Sequence, residues 1–276
     1  MESFKEKAVF ATLSQEEAKQ VKKKDILPMK AVAGIKPVED PVSNRRRKKF
    51  RAVVCGNWQP RKPGEDNYAS VVEASSLRLA LAIAVERSWS LKPLDVTTAF
   101  LDAELPEDME DIYLMPPSLM VHFGLVKPGT VWKPLKGVYG LRIAPKAWGL
   151  KRDRVCREVR FMINGVRHRL LQSRSDSSVW LITPEQDPHI EADRQVTGMM
   201  LIYVDDFLLM GPPAAILALE AVLMARWKMS SQEMVDLMHP GSVRYLGVEI
   251  EVDTLGSVFI HQKTYIRDML KKWDME

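Results

Sequence analysis

The pattern of apolar and polar positions along the chain predicts an α+β fold. Alternating charged and apolar residues over 49–54 indicate a half-buried strand, and the apolar runs at 91–96 and 198–203 indicate buried ones. Residues 77–85 are apolar almost all round, which is typical of a helix buried against a sheet, and Ser75 or Ser76 would cap it. Because few long parallel crossovers separate the strands, we expect an antiparallel sheet.

The remaining elements are predicted from shorter patterns. Residues 1–44 are basic and we expect them to be loosely ordered, and polar residues 183–197 form a hairpin loop. Arg152, Arg154, Arg157 and Arg160 recur at roughly helical spacing, which favours a solvated helix face, with a track for a template backbone as the alternative. The other predicted helices cover 14–24, 145–161 and 214–227, and the other strands cover 112–115, 131–132, 178–182, 245–252 and 257–260.

Composition limits the class of protein. With 276 residues, 46% of them hydrophobic, the chain can bury the core of one large domain or two interlocked ones. Cys55 and Cys156 are far apart and have no Cys or His at ligand spacing, which argues against a disulfide framework or a zinc site. There is no signal-peptide pattern, and two aspartates interrupt the longest apolar run, so we expect a soluble intracellular protein with no membrane partner.

Positive charge is concentrated near the start of the chain. Residues 1–62 contain 16 Lys and Arg against 7 Asp and Glu, a net charge of +9, whereas the whole chain carries +4. The excess peaks at Arg45, Arg46, Arg47 and Lys48. This run is either a solvated charge run or nuclear localisation element, or an electrostatic footprint for nucleic-acid phosphates.

Two adjacent carboxylates, Asp205 and Asp206, interrupt the apolar run 199–210. Buried like charges are costly, so the pair either lies at a hairpin turn in water or is neutralised by a cation. The flanking Val204 and Phe207 are not turn residues. Asp95, near the end of another predicted strand, could supply a third carboxylate. Oxygen ligands suit Mg²⁺ or Mn²⁺, and two such ions promote phosphoryl transfer, so the pattern suggests nucleotidyl transfer without establishing that the three aspartates meet.

Residues 203–206 resemble the catalytic box of reverse transcriptases. Further blocks resemble, in the same order, the reverse transcriptase domain of the copia-type (pseudovirus) LTR retrotransposon Gag-Pol polyprotein. Ordered blocks are far more specific than any single motif. They cover residues 49–56, 95–101, 138–148, 175–180 and 245–250.

The resemblance implies a right-hand polymerase of fingers and palm, with an antiparallel ferredoxin-like palm sheet and a truncated or missing thumb. The implied segments are 1–44 as a basic N-terminal part, 45–70 and 106–143 as fingers, 71–105 and 144–262 as palm, and 263–276 as the start of a thumb or connection.

The resemblance also implies residue roles. Asp95, Asp205 and Asp206 would be catalytic and, with Val96, would bind the metal. Phe100 would block a ribose 2′-hydroxyl, and its alternative role is a core aromatic. The remaining implied roles are nucleotide binding by Arg51, Lys49, Ala99, Tyr139 and Gly140, primer grip by Leu246 and Gly247, and backbone contact by Arg45, Arg46, Arg47 and Lys48.

The implied activity is RNA-directed DNA synthesis with two Mg²⁺ or Mn²⁺ ions, in which a primer 3′-hydroxyl attacks the α-phosphate of a deoxynucleotide. The implied partners are an RNA or DNA template-primer, dNTPs, and the RNase H, integrase and protease parts of the polyprotein. The implied location is the cytoplasm, in a virus-like particle, or the nucleus.

Departures from the family pattern leave alternatives open. Cys55 stands where the family usually has Lys, Ile143 where it has Gln, and residues 102–104 also differ. Only 70 residues follow Asp206, too few for an RNase H domain of about 100 residues. A catalytically silent, truncated or domesticated remnant that only binds nucleic acid is the main alternative. Another palm polymerase is a weaker one, against which Phe100 and residues 138–148 argue.

Overall fold

A computed structural model describes residues 4, 6–37, 46–60, 64, 67–106, 112–185, 196–236 and 238–275. The chain is a mixed α/β protein that divides into two compact units. The first unit comprises Met1–Ala69 and Thr98–Lys151, and the second comprises Ser70–Thr97 and Arg152–Glu276. The identification of these units as fingers and palm stays a prediction.

The described elements follow one another as a mixture of short strands and helices. The strands are β1 (Phe10–Thr12), β2 (Ile26–Pro37), β3 (Arg46–Val54), β4 (Ser90–Val96), β5 (Tyr113–Met115), β6 (Trp132–Pro134), β7 (Arg160–Ile163), β8 (Val166–Gln172), β9 (Val179–Pro184), β10 (Gly198–Tyr203), β11 (Asp206–Gly211), β12 (Met229–Ser231), β13 (Gly241–Tyr245), β14 (Val248–Val252) and β15 (Val258–His261). The helices are α1 (Gln15–Gln20), α2 (Ala74–Glu86), α3 (Ser118–His122), α4 (Ala144–Glu158), α5 (Pro213–Met224) and α6 (Lys263–Lys272). None of the helices in the described ranges is both long and apolar enough to cross a bilayer.

The first unit is built on a five-stranded sheet in the order β1-β6-β5-β2-β3. Its strands pair antiparallel except for β2 and β5, which run parallel. The core beside this sheet contains Leu27, Leu114, Trp132 and Val138, all nearly inaccessible to solvent. Burial of these apolar side chains provides the main stabilisation of the unit.

The second unit is built on a seven-stranded antiparallel sheet in the order β12-β4-β11-β10-β9-β8-β7, beside a three-stranded sheet β13-β14-β15. The central strands β10 and β11 are buried on both faces, which explains why their sequences are continuously apolar. Leu201 and Leu208 pack in one cluster with Leu81 of α2 and Ile250 of β14. Helix α5 contacts β11, and the rings of Phe207 and Trp227 lie 6.1 Å apart.

Several sequence-based boundaries are wrong. The helix predicted over 145–161 ends at Glu158, because residues from Arg160 onward pair with β8. The strand predicted over 245–252 is two strands, since Leu246 and Gly247 both have positive φ and form a two-residue turn. Neither predicted serine caps α2, which begins at Ala74 after Glu73 and has no side-chain cap bond.

The loose order predicted for residues 1–44 is also wrong over much of its length. A capping box joins Ser14 and Glu17 at the start of α1. Strand β2 then pairs with β3 over nine residues, from Met29 opposite Val54 to Pro37 opposite Arg46. The order of α1 therefore comes from a local pattern, whereas that of β2 comes from long-range pairing. Most of the predicted loop 183–197 lies outside the described residues.

Candidate active site

Three aspartates lie together at one end of the central strands of the second unit. Strands β4 and β11 are antiparallel neighbours, and their register places Asp206 directly opposite Asp95. Asp205 lies in the adjacent two-residue turn between β10 and β11. One carboxylate oxygen from each of the three aspartates lies within 4.8 Å of the others. The register thus brings together Asp95 and Asp206, which are 111 positions apart in the sequence.

The turn that carries Asp205 is fixed by the strands beneath it. Strand β10 is buried up to Ile202 and β11 is buried from Phe207 onward, so a one-residue slip would bring a charged aspartate into the buried part of the sheet. The amide of Val96 donates to the carbonyl of Asp205 at 2.9 Å and ties the turn to β4. Within the turn, Val204 has φ of 56°, which is an outlier for a β-branched residue. Backbone strain of this kind costs about 1–3 kcal/mol and persists only where the surroundings enforce it.

The surroundings of Asp206 disfavour its charged form. Burial, followed by the charges of Asp205 and Asp95, raises the pKa of Asp206 to about 6. A hydrogen bond between the Asp206 and Asp95 carboxyl groups acts in the same direction. Like charges this close require a shared proton or a cation.

The donor set fits a magnesium or manganese ion. All three side chains offer oxygen, the ligand type that these hard cations prefer, and no nitrogen or sulfur donor joins the cluster among the described residues. Asp95 is exposed and the other two are half-buried, so the cluster opens to solvent on one side. A substrate phosphate could therefore complete the coordination of a bound ion.

A second group of predicted site residues lies in the first unit. The rings of Phe100 and Tyr139 form a T-shaped pair, with centroids 5.0 Å apart and an interplanar angle of 69°. The guanidinium carbon of Arg51 lies over the Tyr139 ring, 5.5 Å from its centroid. Arg51 is exposed while Phe100 and Tyr139 are half-buried. The Tyr139 ring thus contacts both a cation and a second aromatic ring.

Two glycines allow the backbone around Tyr139 to approach β3. The amide of Val54 donates to the Tyr139 carbonyl at 2.8 Å. Gly140 has φ of 93°, and a Cβ there would lie 2.1 Å from the Val54 carbonyl oxygen. A Cβ on Gly56 would lie 1.9 Å from the Gly140 carbonyl oxygen. These contacts give both glycines a packing role beside any contact with a nucleotide.

The other predicted positions are partly described. Ala99 is buried in a short 3₁₀ turn, Ala99–Asp102, and Val96 is buried at the end of β4. Leu246 and Gly247 form the turn between β13 and β14. Arg45 lies outside the described residues, and only the backbone is described for Arg46, Arg47, Lys48 and Lys49, which belong to β3.

Of the four arginines predicted to form a solvated helix face, Arg154 and Arg157 are exposed on α4 and Arg160 lies on β7, but Arg152 is buried. Arg152 is only 1% exposed, and it donates through Nη1 to the carbonyl of Val204 at 3.3 Å. Its Nε and Nη2 contact the Asp153 carboxylate at 2.9 and 2.8 Å. The helical spacing of the arginines does not indicate which of them points inward. The adjacent acid, Asp153, is the one local signal that a buried arginine would have a partner.

Comparison with known proteins identifies the family. The sequence profile of the family described as reverse transcriptase (RNA-dependent DNA polymerase) matches residues 18–184, a range that contains Arg51 and Asp95 and ends before Asp205.

Similar proteins include the retrovirus-related Pol polyproteins from transposons RE2 and RE1 of Arabidopsis thaliana, each 28% identical over 230 residues. The polyprotein from transposon TNT 1-94 of Nicotiana tabacum is 28% identical over 233 residues. These alignments cover 83% of this chain but only 14–15% of the relatives' length. Since the profile covers more than half of the chain, this protein belongs to the reverse transcriptase (RNA-dependent DNA polymerase) family, and its copia-type resemblance is confirmed.

Proposed function

We propose that this chain is the RNA-directed DNA polymerase core of a copia-type retrotransposon. The observation that carries the proposal is the convergence of Asp95, Asp205 and Asp206 at one end of antiparallel strands. Three carboxylates in a solvent-accessible cluster suit an ion-dependent phosphoryl transfer better than a purely structural role. The family profile and the Pol polyprotein relatives support the same reaction class.

In this proposal the carboxylates form the metal site. Asp95, Asp205 and Asp206, with the backbone of Val96, would hold two Mg²⁺ or Mn²⁺ ions. Bound divalent ions activate an attacking hydroxyl and stabilise the leaving oxygen in such reactions. The chain's own contribution is to hold the carboxylates in place before substrate arrives, because positioning and preorganised charge supply most of the catalysis in phosphoryl transfer.

The first unit would supply the contacts to the incoming nucleotide. Arg51 would bind the triphosphate and Lys49 would assist it, since a fixed guanidinium matches phosphate oxygens well. Phe100 would exclude a ribose 2′-hydroxyl, and its edge contact with Tyr139 would keep the ring in place. Ala99 and Gly140 would line the same site. In the second unit, the Leu246–Gly247 turn would contact the primer end.

The architecture and partners follow from the same proposal. The first unit would correspond to fingers, the second to palm, and α6 to the start of a thumb. The basic residues 45–48 would contact a nucleic-acid backbone. The proposed partners are a template-primer, dNTPs and other parts of a Pol polyprotein, within a particle in the cytoplasm or in the nucleus.

The test is primer extension on poly(rA)–oligo(dT) with Mg²⁺ or Mn²⁺, comparing the chain with Asp205→Asn. We expect incorporation that requires the ion and falls by about 100-fold or more in the variant, since loss of one preorganised charge contact costs on that order. Salt-dependent binding of the template without incorporation would instead support a remnant that only binds nucleic acid. Equal incorporation by both proteins would refute the carboxylate site.

A further inference from the structure

A buried arginine lies directly beneath the turn that carries the proposed metal site. Arg152 begins the part of α4 that belongs to the second unit, and its side chain is 2% exposed. Burying a guanidinium is unfavourable unless its donors are paired. The Asp153 carboxylate accepts from two of its nitrogens, and a third nitrogen, Nη1, donates to the Val204 carbonyl. The guanidinium thus links the Arg152–Asp153 ion pair to the peptide group between Val204 and Asp205.

That peptide group belongs to the strained residue of the turn. Val204 has φ of 56°, and such a conformation is kept only when several contacts enforce it. One enforcing contact comes from β4, through the Val96 amide and the Asp205 carbonyl. The Arg152 contact to the Val204 carbonyl is a second one, on the preceding peptide. Together they fix two successive carbonyl groups immediately before the Asp206 carboxylate.

The arginine is itself held in place by a network. Gln172 donates to the other carboxylate oxygen of Asp153 at 3.3 Å and to the Ser177 carbonyl at 2.7 Å. Arg157 donates to the Gln172 side-chain oxygen at 2.7 Å. The network therefore connects α4 to the end of β8 and to the segment before β9. Because this network holds its partner Asp153 in place, the Arg152 guanidinium has little freedom to follow a moving turn.

We propose that Arg152 is a positioning residue that holds the Val204–Asp205 turn in the conformation in which Asp205 and Asp206 bind a divalent ion. The proposal rests on the proposed metal site. Arg152 acts through the turn backbone and has no direct contact with substrate. Its role differs from that of an ordinary buried ion pair, because one arm of the guanidinium is bonded to the turn.

The measurement is Mn²⁺ binding by the whole chain, followed through the paramagnetic resonance signal of free Mn²⁺. The variants are Arg152→Met, Arg152→Lys and Asp205→Asn. Lys92→Met is the matched control, because Lys92 forms a comparably buried ion pair with Glu220 in the same unit, and side-chain exposures there are 13% and 11%. Thermal unfolding of each variant gives the loss of stability for comparison.

We expect Arg152→Met to weaken Mn²⁺ binding by about 10-fold or more, the usual effect of removing a group that orients metal ligands. Lys92→Met should lose similar thermal stability and keep its Mn²⁺ affinity. Arg152→Lys retains the charge but cannot reach both Asp153 and Val204, so it should recover stability more than affinity. If Arg152→Met does not fold, the Lys variant decides the question.

Unchanged affinity in the folded Arg152 variants would overturn the positioning role alone. An equal loss of affinity in Lys92→Met would also overturn it, because the effect would then be general destabilisation. If the unsubstituted chain binds Mn²⁺ no better than Asp205→Asn, the proposed metal site itself fails, and the positioning role fails with it.

Discussion

Two hairpin turns of the second unit have the same length but different chemistry. The turn between β10 and β11 consists of Val204 and Asp205, and the turn between β13 and β14 consists of Leu246 and Gly247. In the second turn both residues have positive φ, 53° and 72°, as in a type I′ hairpin, and glycine adopts this conformation readily. In the first turn only Val204 has positive φ, a pattern of signs that normally favours glycine at that position.

The difference shows where the chain tolerates strain. The β13–β14 turn includes a residue type suited to its backbone, whereas the β10–β11 turn keeps an unsuited valine beside two carboxylates. Asp253, an aspartate in another turn, has hydrogen-bond partners that stabilise its position. Asp253 accepts hydrogen bonds from the amides of Leu255 and Ser257 at 2.8 Å and so stabilises its own loop. Asp206 instead lies opposite Asp95. Repulsion between the two carboxylates destabilises the fold unless a cation or a proton is present.

The largest expected effect comes from replacing both residues of the β10–β11 turn by residues that suit its backbone. Val204→Gly combined with Asp205→Asn gives a Gly-Asn pair, which is well suited to a turn with positive φ at its first central residue. We expect the metal-free protein to unfold at a higher temperature, because strain and one negative charge are removed. Primer extension should fall by about 100-fold or more.

The control for this change is Asp253→Asn, which alters an aspartate in another turn of the same unit. It should leave primer extension unchanged and lower the thermal stability slightly. Full activity of the double variant would show that the strained turn and its carboxylate are unnecessary.

A smaller effect concerns pH. The pKa of Asp206 is raised to about 6 in the folded chain, above about 3.9 for an unfolded aspartate. The stability that protonation of Asp206 provides is therefore fully present below about pH 3.9 and is lost as the pH rises through about 6. Without metal, the unfolding temperature of the chain should fall relative to that of Asp206→Asn as the pH rises from 5 to 7.5.

A divalent ion should reverse this trend, because protons compete with it for the carboxylates and a ligand stabilises the state that binds it. Thermal unfolding with saturating Mn²⁺ should show greater stability at pH 7.5 than at pH 5. The same slope with and without Mn²⁺ would contradict ion binding at Asp206.

The smallest expected effect compares single changes in the two turns. Gly247→Ala has open space for its Cβ but retains a φ of 72°, so it should destabilise the chain by about 1 kcal/mol. Val204→Gly should stabilise it by up to about 1 kcal/mol, since relief of strain exceeds the entropic cost of glycine. Chemical denaturation measures both, and destabilisation of similar size in both variants would refute the difference between the turns.

The sequence predicted the parts of the fold that local patterns encode. Strands β10 and β11 follow from the apolar run 199–210, and Asp205 and Asp206 mark the turn between them. The local pattern predicts one strand over 245–252, because a two-residue turn preserves the alternation of the strands on either side.

Contacts between distant segments were not available from local patterns. The strand pattern suggests that Asp95 could join Asp205 and Asp206, but it does not predict the register that places Asp95 opposite Asp206. The burial of Arg152 depends on the Val204 carbonyl, 52 residues away, and helical spacing alone could not indicate it.

The most direct test of the metal site is an anomalous-scattering map from crystals of the chain with template-primer, dTTP and Mn²⁺. We predict Mn²⁺ peaks beside the carboxylates of Asp95 and Asp205, with two ions about 3.5–4 Å apart when the nucleotide is bound. The absence of a peak at these carboxylates under saturating Mn²⁺, with nucleotide present, would refute the proposed metal site.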